Sequence, residues 1–216
     1  MAFVLVLAAA VAASAAPDPG RALFDANGCR ACHSIGGVGG NAGPDLTYVG
    51  FRRTAGWLDD WLASPHAVKP DTLMPEFRLS AASRRALMIY LTEQKGRGFG
   101  AHRPWDDYPA GSARAGEALF ARAGCVACHG AAGRGGHPNV NVRGGVIPAL
   151  RGLRETYSES ELATKIRRGS PPEKLDPAGA DPVVMPAWGE ALSEQDIQGV
   201  VKYLMGLEPI GKRTEF

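Results

Sequence analysis

All four cysteines of the 216-residue chain lie in two pentapeptides, Cys29-Arg30-Ala31-Cys32-His33 and Cys125-Val126-Ala127-Cys128-His129. Two thiols at this spacing can form thioether bonds to the two vinyl groups of one haem, and the histidine that follows then sits under the iron; C-x-x-C-H is the pattern of c-type haem attachment. Because the two copies consume every cysteine, none is left for a disulfide. The chemistry implied is redox chemistry at two haems. A lone C-x-x-C also serves as a thioredoxin-like redox pair or as half of a zinc site. The first belongs in a βαβ pattern and the second needs a partner pair at a characteristic short spacing, and the sequence offers neither.

The group on the far side of each iron separates an electron carrier from an enzyme. Met74 and Met185 each precede a proline, in Met74-Pro75-Glu76-Phe77 and Met185-Pro186-Ala187-Trp188, downstream of a haem motif. A buried methionine is more often soft core filler, and Met88 and Met205, beside apolar neighbours on C-terminal helices, are assigned to the core. His66, His102 and His137 compete as ligands, yet none recurs at a matching place in the two halves. His137, in the glycine-rich stretch Gly133 to Gly145, is the one to follow.

The elements that must position these residues occur twice. Aligned from Gly20 to His33 and from Gly116 to His129, nine of fourteen positions are identical. The Met-Pro segments repeat next, followed by Leu79-Ser80 to Tyr90-Leu91 against Leu192-Ser193 to Tyr203-Leu204. Ala22, Leu23 and Phe24, like Ala118, Leu119 and Phe120, predict a short amphipathic helix that Gly28 or Gly124 stops just before the cysteines. Ser80 is an N-cap for a helix carrying Leu87, Met88, Tyr90 and Leu91, and Ser193 with Asp196 forms a capping box for Ile197 to Leu204. Trp57, Leu58, Trp61 and Leu62 mark a further helix, whose place Glu159 to Arg168 takes in the second half. No alternating strand pattern appears. Lys95 to Arg114 is dense in glycine and proline and reads as a linker, with Trp105 and Tyr108 expected to pack against a domain.

With its order of elements on the page, the chain resembles a tandem dihaem cytochrome c of the class I type. The resemblance implies an all-α fold of two small helical domains, each wrapped around one covalent haem. It implies residues 17–95 as the first domain, 96–114 as the linker and 115–216 as the second. In that family a loop after the haem motif presents a proline and a later loop delivers a methionine to the iron. Carried over, the prolines are Pro44 in Gly43-Pro44-Asp45-Leu46 and Pro148 in Ile147-Pro148-Ala149-Leu150. Their carbonyls would accept the second ring N–H of His33 and His129, a bond that orients the ring and raises its basicity. The iron ligands implied are His33 with Met74 and His129 with Met185. Such ligation leaves no vacant site for a substrate and raises the reduction potential relative to histidine alone, so the expected function is outer-sphere electron transfer with no catalytic residue. Arg52, Arg53, Arg78 and Lys69 are candidates to neutralise haem propionates, with solvated surface charge as the plain alternative.

The formal net charge is +2, and four propionates would bring it near neutral or below; with no basic stripe, nucleic-acid binding is unsupported. Residues 1–16 are almost wholly apolar and end in Ala13-Ser14-Ala15-Ala16, as a signal peptide or an N-terminal membrane anchor would, though the positive n-region is missing. Covalent haem attachment in such bacterial cytochromes takes place outside the cytoplasmic membrane, so the expected location is its periplasmic side, soluble or attached through residues 1–16. The reading is a cytochrome subunit of a respiratory or photosynthetic complex, with a quinol-oxidising or oxidase complex as redox partner. The alternatives are a free periplasmic shuttle and a dihaem enzyme of the peroxidase or thiosulfate-oxidising kind, which would need an open or unusual distal ligand at one haem.

Overall fold

The computed structural model describes residues 18–180 and 182–211; the leader expected at 1–16 lies outside them. The described residues form an all-α protein whose two halves repeat one plan. In the first half α1 (Pro19–Ala26) leads into the cysteine motif, and α2 (Val49–Arg52), α3 (Ala55–Ala63), α4 (Pro65–Val68) and α5 (Ala81–Thr92) follow. In the second, α6 (Ala113–Arg122) leads into α7 (Val126–His129), which carries the second motif, and α8 (Glu159–Arg168) and α9 (Glu194–Met205) complete it.

Local chemistry sets the helix ends. Asp18 caps α1 by accepting from the Gly20 and Arg21 N–H groups, and Pro19 at the first position has no N–H to leave unsatisfied. Gly28 and Gly124 stop the first helix of each half with φ of 69° and 81°, a left-handed conformation that costs glycine little. Ser80 caps α5, and Ser193 with Asp196 forms the expected capping box of α9. A second capping box, Ser158 with Glu161, starts α8.

In each half the N-terminal helix crosses the C-terminal one at a glycine. A Cβ on Gly20 would collide with the Ala86 carbonyl of α5, and one on Gly116 with the Gly199 backbone of α9. This close approach lets Phe24 bury beside Tyr90, and Leu119 and Phe120 beside Ile197, Val200 and Val201. Each such side chain contributes about 1.5–3 kcal/mol through burial.

Two features depart from the sequence reading. Ser34–Ile35 and Val38–Gly39 pair as an antiparallel hairpin, closed by Gly36 and Gly37 with φ of 62° and 79°. The strands are two residues long, too short for a period-two signal. The glycine- and proline-rich connection, for its part, is a strap on the second half. Phe99 and Trp105 are buried in that half's core, Trp105 at 2% exposure, and the Trp105 Nε1–H donates to Asp196 Oδ1 at 2.9 Å. Tyr108 remains half-exposed, with the Arg114 guanidinium 5.8 Å from its ring centre.

Candidate haem sites

In the first half Cys29, Cys32 and His33 leave the end of α1 through a single 3₁₀ turn, Cys29–Ala31. The His33 Nδ1–H donates to the Pro44 carbonyl at 2.8 Å, which fixes the tautomer and leaves the Nε2 lone pair free for a metal. The approach is close: a Cβ on Gly43 would lie 2.5 Å from the His33 ring, so glycine is required there. Buried groups hold this loop in place. Asp45 accepts from the Thr47 N–H at 2.8 Å, the Thr47 hydroxyl at 2.5 Å and the Ser34 hydroxyl at 3.0 Å, while Thr47 Oγ1 accepts from the Gly36 N–H at 2.8 Å. Ser34 and Thr47 carry no sequence signal of their own; the hairpin brings Ser34 and Gly36 against the loop that carries Asp45 and Thr47.

Met74 packs against the same apolar cluster as Cys29, with Phe24, Val49, Leu58, Leu62 and Leu87. Its Sδ accepts from the Trp61 Nε1–H at 2.9 Å. Met88 lies on that cluster too, from α5, as core. Burial pushes the Cys29 thiol pKa above its ordinary value.

The second half assembles Cys125 and Met185 on its own cluster, with Leu119, Phe120, Leu162, Ile166 and Trp188; Met205 joins as core. Met185 is held by a bridge to Ser170, and the loop before it is tied to the glycine-rich loop by two asparagines. Asn139 Oδ1 accepts from the Val183 N–H at 2.7 Å. The Asn141 side chain accepts from the Asp176 N–H at 2.7 Å and donates to the Asp176 and Ala180 carbonyls at 2.8 and 2.9 Å. The sequence reading missed both; the asparagines on either side of Val140 were the available signal.

His129 differs from His33. Its Nδ1 is sealed from solvent without a hydrogen-bond partner, so the contact expected from Pro148 is not made. Eleven positions separate His33 from Pro44, whereas nineteen separate His129 from Pro148. The longer loop puts the Gly135 backbone against Ile147, Pro148 and Ala149. Burial lowers the His129 pKa to about 4 and raises that of Cys125 to about 12, so at neutral pH the site offers a neutral imidazole and a protonated thiol.

The other candidates fall elsewhere. His66 lies 4.0 Å from Glu76, His102 lies 2.8 Å from Asp107, and Lys69 pairs with Asp71 at 3.2 Å. The His137 pKa is lowered by burial and by the nearby charges of Arg53 and Lys69. Arg52 and Arg53 bridge the two halves, each touching its own half and the second one. The Arg52 guanidinium donates to the Asp45 and Gly124 carbonyls at 2.9 and 3.4 Å, and the Arg53 Nη2 lies 3.7 Å from Cys128 Sγ. Both therefore lie against the second attachment motif.

These residues fit a haem in each half. The attachment thiol Cys29 or Cys125 shares one apolar cluster with Met74 or Met185, and the histidine follows directly on the motif. Among the described residues no cluster of three or more His, Cys, Asp or Glu side chains converges as a zinc site would require.

Comparison with known proteins agrees. The family model for cytochrome c matches residues 17–95 and again residues 113–208. The chain is also 35% identical over 87 residues to cytochrome c oxidase subunit 2 of Alkalihalophilus pseudofirmus, a match covering 36% of this chain and 25% of that protein. It thus spans about a quarter of that relative's length. Matched by the family model across both repeats, the chain belongs to the cytochrome c family, as two tandem class I domains that use covalently bound haem c for electron transfer.

Proposed function

We propose that the chain holds two covalent haems, one on Cys29 and Cys32 and one on Cys125 and Cys128, with His33 and Met74 ligating the first iron and His129 and Met185 the second. The observation that carries this is the sorting of thiols and methionines: Cys29 and Met74 pack on one core, Cys125 and Met185 on the other. The haem supplies the one-electron chemistry. The protein's part is to orient His33 through Pro44, to press each methionine onto its core, and to exclude water from the inner face of each site. A haem held by His33 and Met74, or by His129 and Met185, would leave no ligand site open to a substrate and would supply outer-sphere electron transfer between redox proteins.

The chain works as the cytochrome subunit of a membrane respiratory complex on the periplasmic side, with an oxidase as the favoured partner. Supporting this are the likeness to an oxidase subunit and the apolar residues 1–16. Among the described residues no helix is long and apolar enough to cross a membrane. Detergent extraction of the native membranes followed by affinity isolation of the full chain tests the assignment. Oxidase subunits should co-purify. Recovery as a single soluble species would replace the subunit by the free shuttle, and stoichiometric carbon monoxide binding at one haem would replace it by the enzyme.

A further inference from the structure

A continuous line of contacts joins the two sites. From the first, Met74 Sδ accepts from the Trp61 Nε1–H at 2.9 Å. The Trp61 ring stacks on Trp57, with centroids 5.1 Å apart and planes 12° from parallel. The Arg53 guanidinium lies over the Trp57 ring, 4.2 Å from its centroid, and its Nη2 is 3.7 Å from Cys128 Sγ, a thioether sulfur of the second site once haem is attached. Beside it Arg52 bonds to the Gly124 carbonyl and holds the two halves together at this point.

The repeat separates what the fold needs from what this line adds. Aligning the caps Thr54 and Ser158 sets Leu58 against Leu162 and Leu62 against Ile166, all buried. The same register sets Trp57 against Glu161 and Trp61 against Lys165. A helix at this place folds well with charged residues on that face, so the tryptophan pair is not a requirement of the domain. The two motifs also differ in setting: Cys32 is exposed, whereas Cys128 is partly covered and has Arg53 of the first half against its sulfur.

We propose that Met74, Trp61, Trp57, Arg53 and Cys128 form the route by which electrons pass between the two haem sites. This rests on the ligand assignment above. Tunnelling decays less steeply through atoms in contact than across a gap, and these half-buried side chains touch end to end. With haem attached at both motifs, one electron would pass from the ferrous site, which is oxidised, to the ferric site, which is reduced. No bond is made or broken and no proton moves, and the tryptophans stay closed-shell, contributing orbitals only.

The test uses the full-length holoprotein carrying M185H. In that background the red sulfur-to-iron band arises from the first site alone, and the second site has the lower potential, because histidine replaces the methionine that raises it. Flash reduction with a flavin places electrons on both sites, and their drainage from the second to the first is read as a concentration-independent loss of the band. W57L and R53L should each slow this phase several-fold at unchanged potentials, and R53K should recover part of the rate. Unchanged rates in both variants, with two haems present and the band intact, would overturn the route alone. A single haem, or no band before the flash, would overturn the ligand assignment and with it a route that begins on Met74.

Discussion

Trp61 donates to Met74 at 2.9 Å, and the position that repeats Trp61 in the second half is Lys165, whose ammonium lies 6.0 Å from the Tyr157 ring. The two methionines therefore sit in different electrostatic surroundings although the fold around them repeats.

A thioether sulfur bound to iron keeps one lone pair, and a hydrogen bond to it withdraws electron density and favours the reduced state. W61F should lower the potential of one haem and leave the other in place. A hydrogen bond contributes about 1 kcal/mol, so roughly 40 mV bounds the shift. Potentiometric titration of the holoprotein checks this; movement of both steps, or of neither, would contradict it.

Asn141 should matter for the second site only. Its side chain ties the loop before Met185 at three points, so N141A leaves two carbonyl acceptors and one N–H donor without that partner. Each lost bond costs about 0.5–1.5 kcal/mol. The expected outcome is partial loss of the red sulfur-to-iron band with haem content unchanged. An intact band across a thermal scan would mean that the bridge from Ser170 to Met185 suffices.

Asp196 fastens the strap to the second half. At 7% exposure it accepts from Arg103 at 2.8 Å, from Trp105 at 2.9 Å, and from the Ser193 hydroxyl at 2.7 Å. D196A leaves the Arg103 charge and the Trp105 N–H short of their partner and removes half of the capping box, a loss of about 3 kcal/mol. Calorimetry should show the second half melting earlier; an unchanged midpoint would show that the strap contributes little.

The helix crossing at Gly116 admits no side chain. G116V should destabilise the second half by about 1–3 kcal/mol through forced separation of α6 from α9. Denaturant titration that leaves the transition midpoint in place would refute this packing.

Much of this was legible in the sequence because it is local or repeated. The haem motifs, the helix stops at Gly28 and Gly124, the caps at Ser80 and Ser193, and the paired methionines each depend on residues within a few positions of one another. What escaped is long-range. Arg53 and Cys128 are 75 positions apart, and Trp105 and Asp196 are 91 apart; no periodicity marks such pairs. Arg52 and Arg53 read as propionate partners or solvated surface charge, and only the docking of one half on the other brings them against the second motif. Pro148 illustrates the opposite hazard. It shares only the Pro-x-Leu pattern of Pro44, and the longer loop before it holds its carbonyl out of the hydrogen bond that Pro44 makes to His33.

The central claim, two covalent haems on one chain, is tested most directly by the mass of the denatured full-length holoprotein. The account predicts a mass increment of two haems for the unaltered protein and of one haem when Cys29 and Cys32 are replaced together. An increment of one haem in the unaltered protein, or of none, would contradict it.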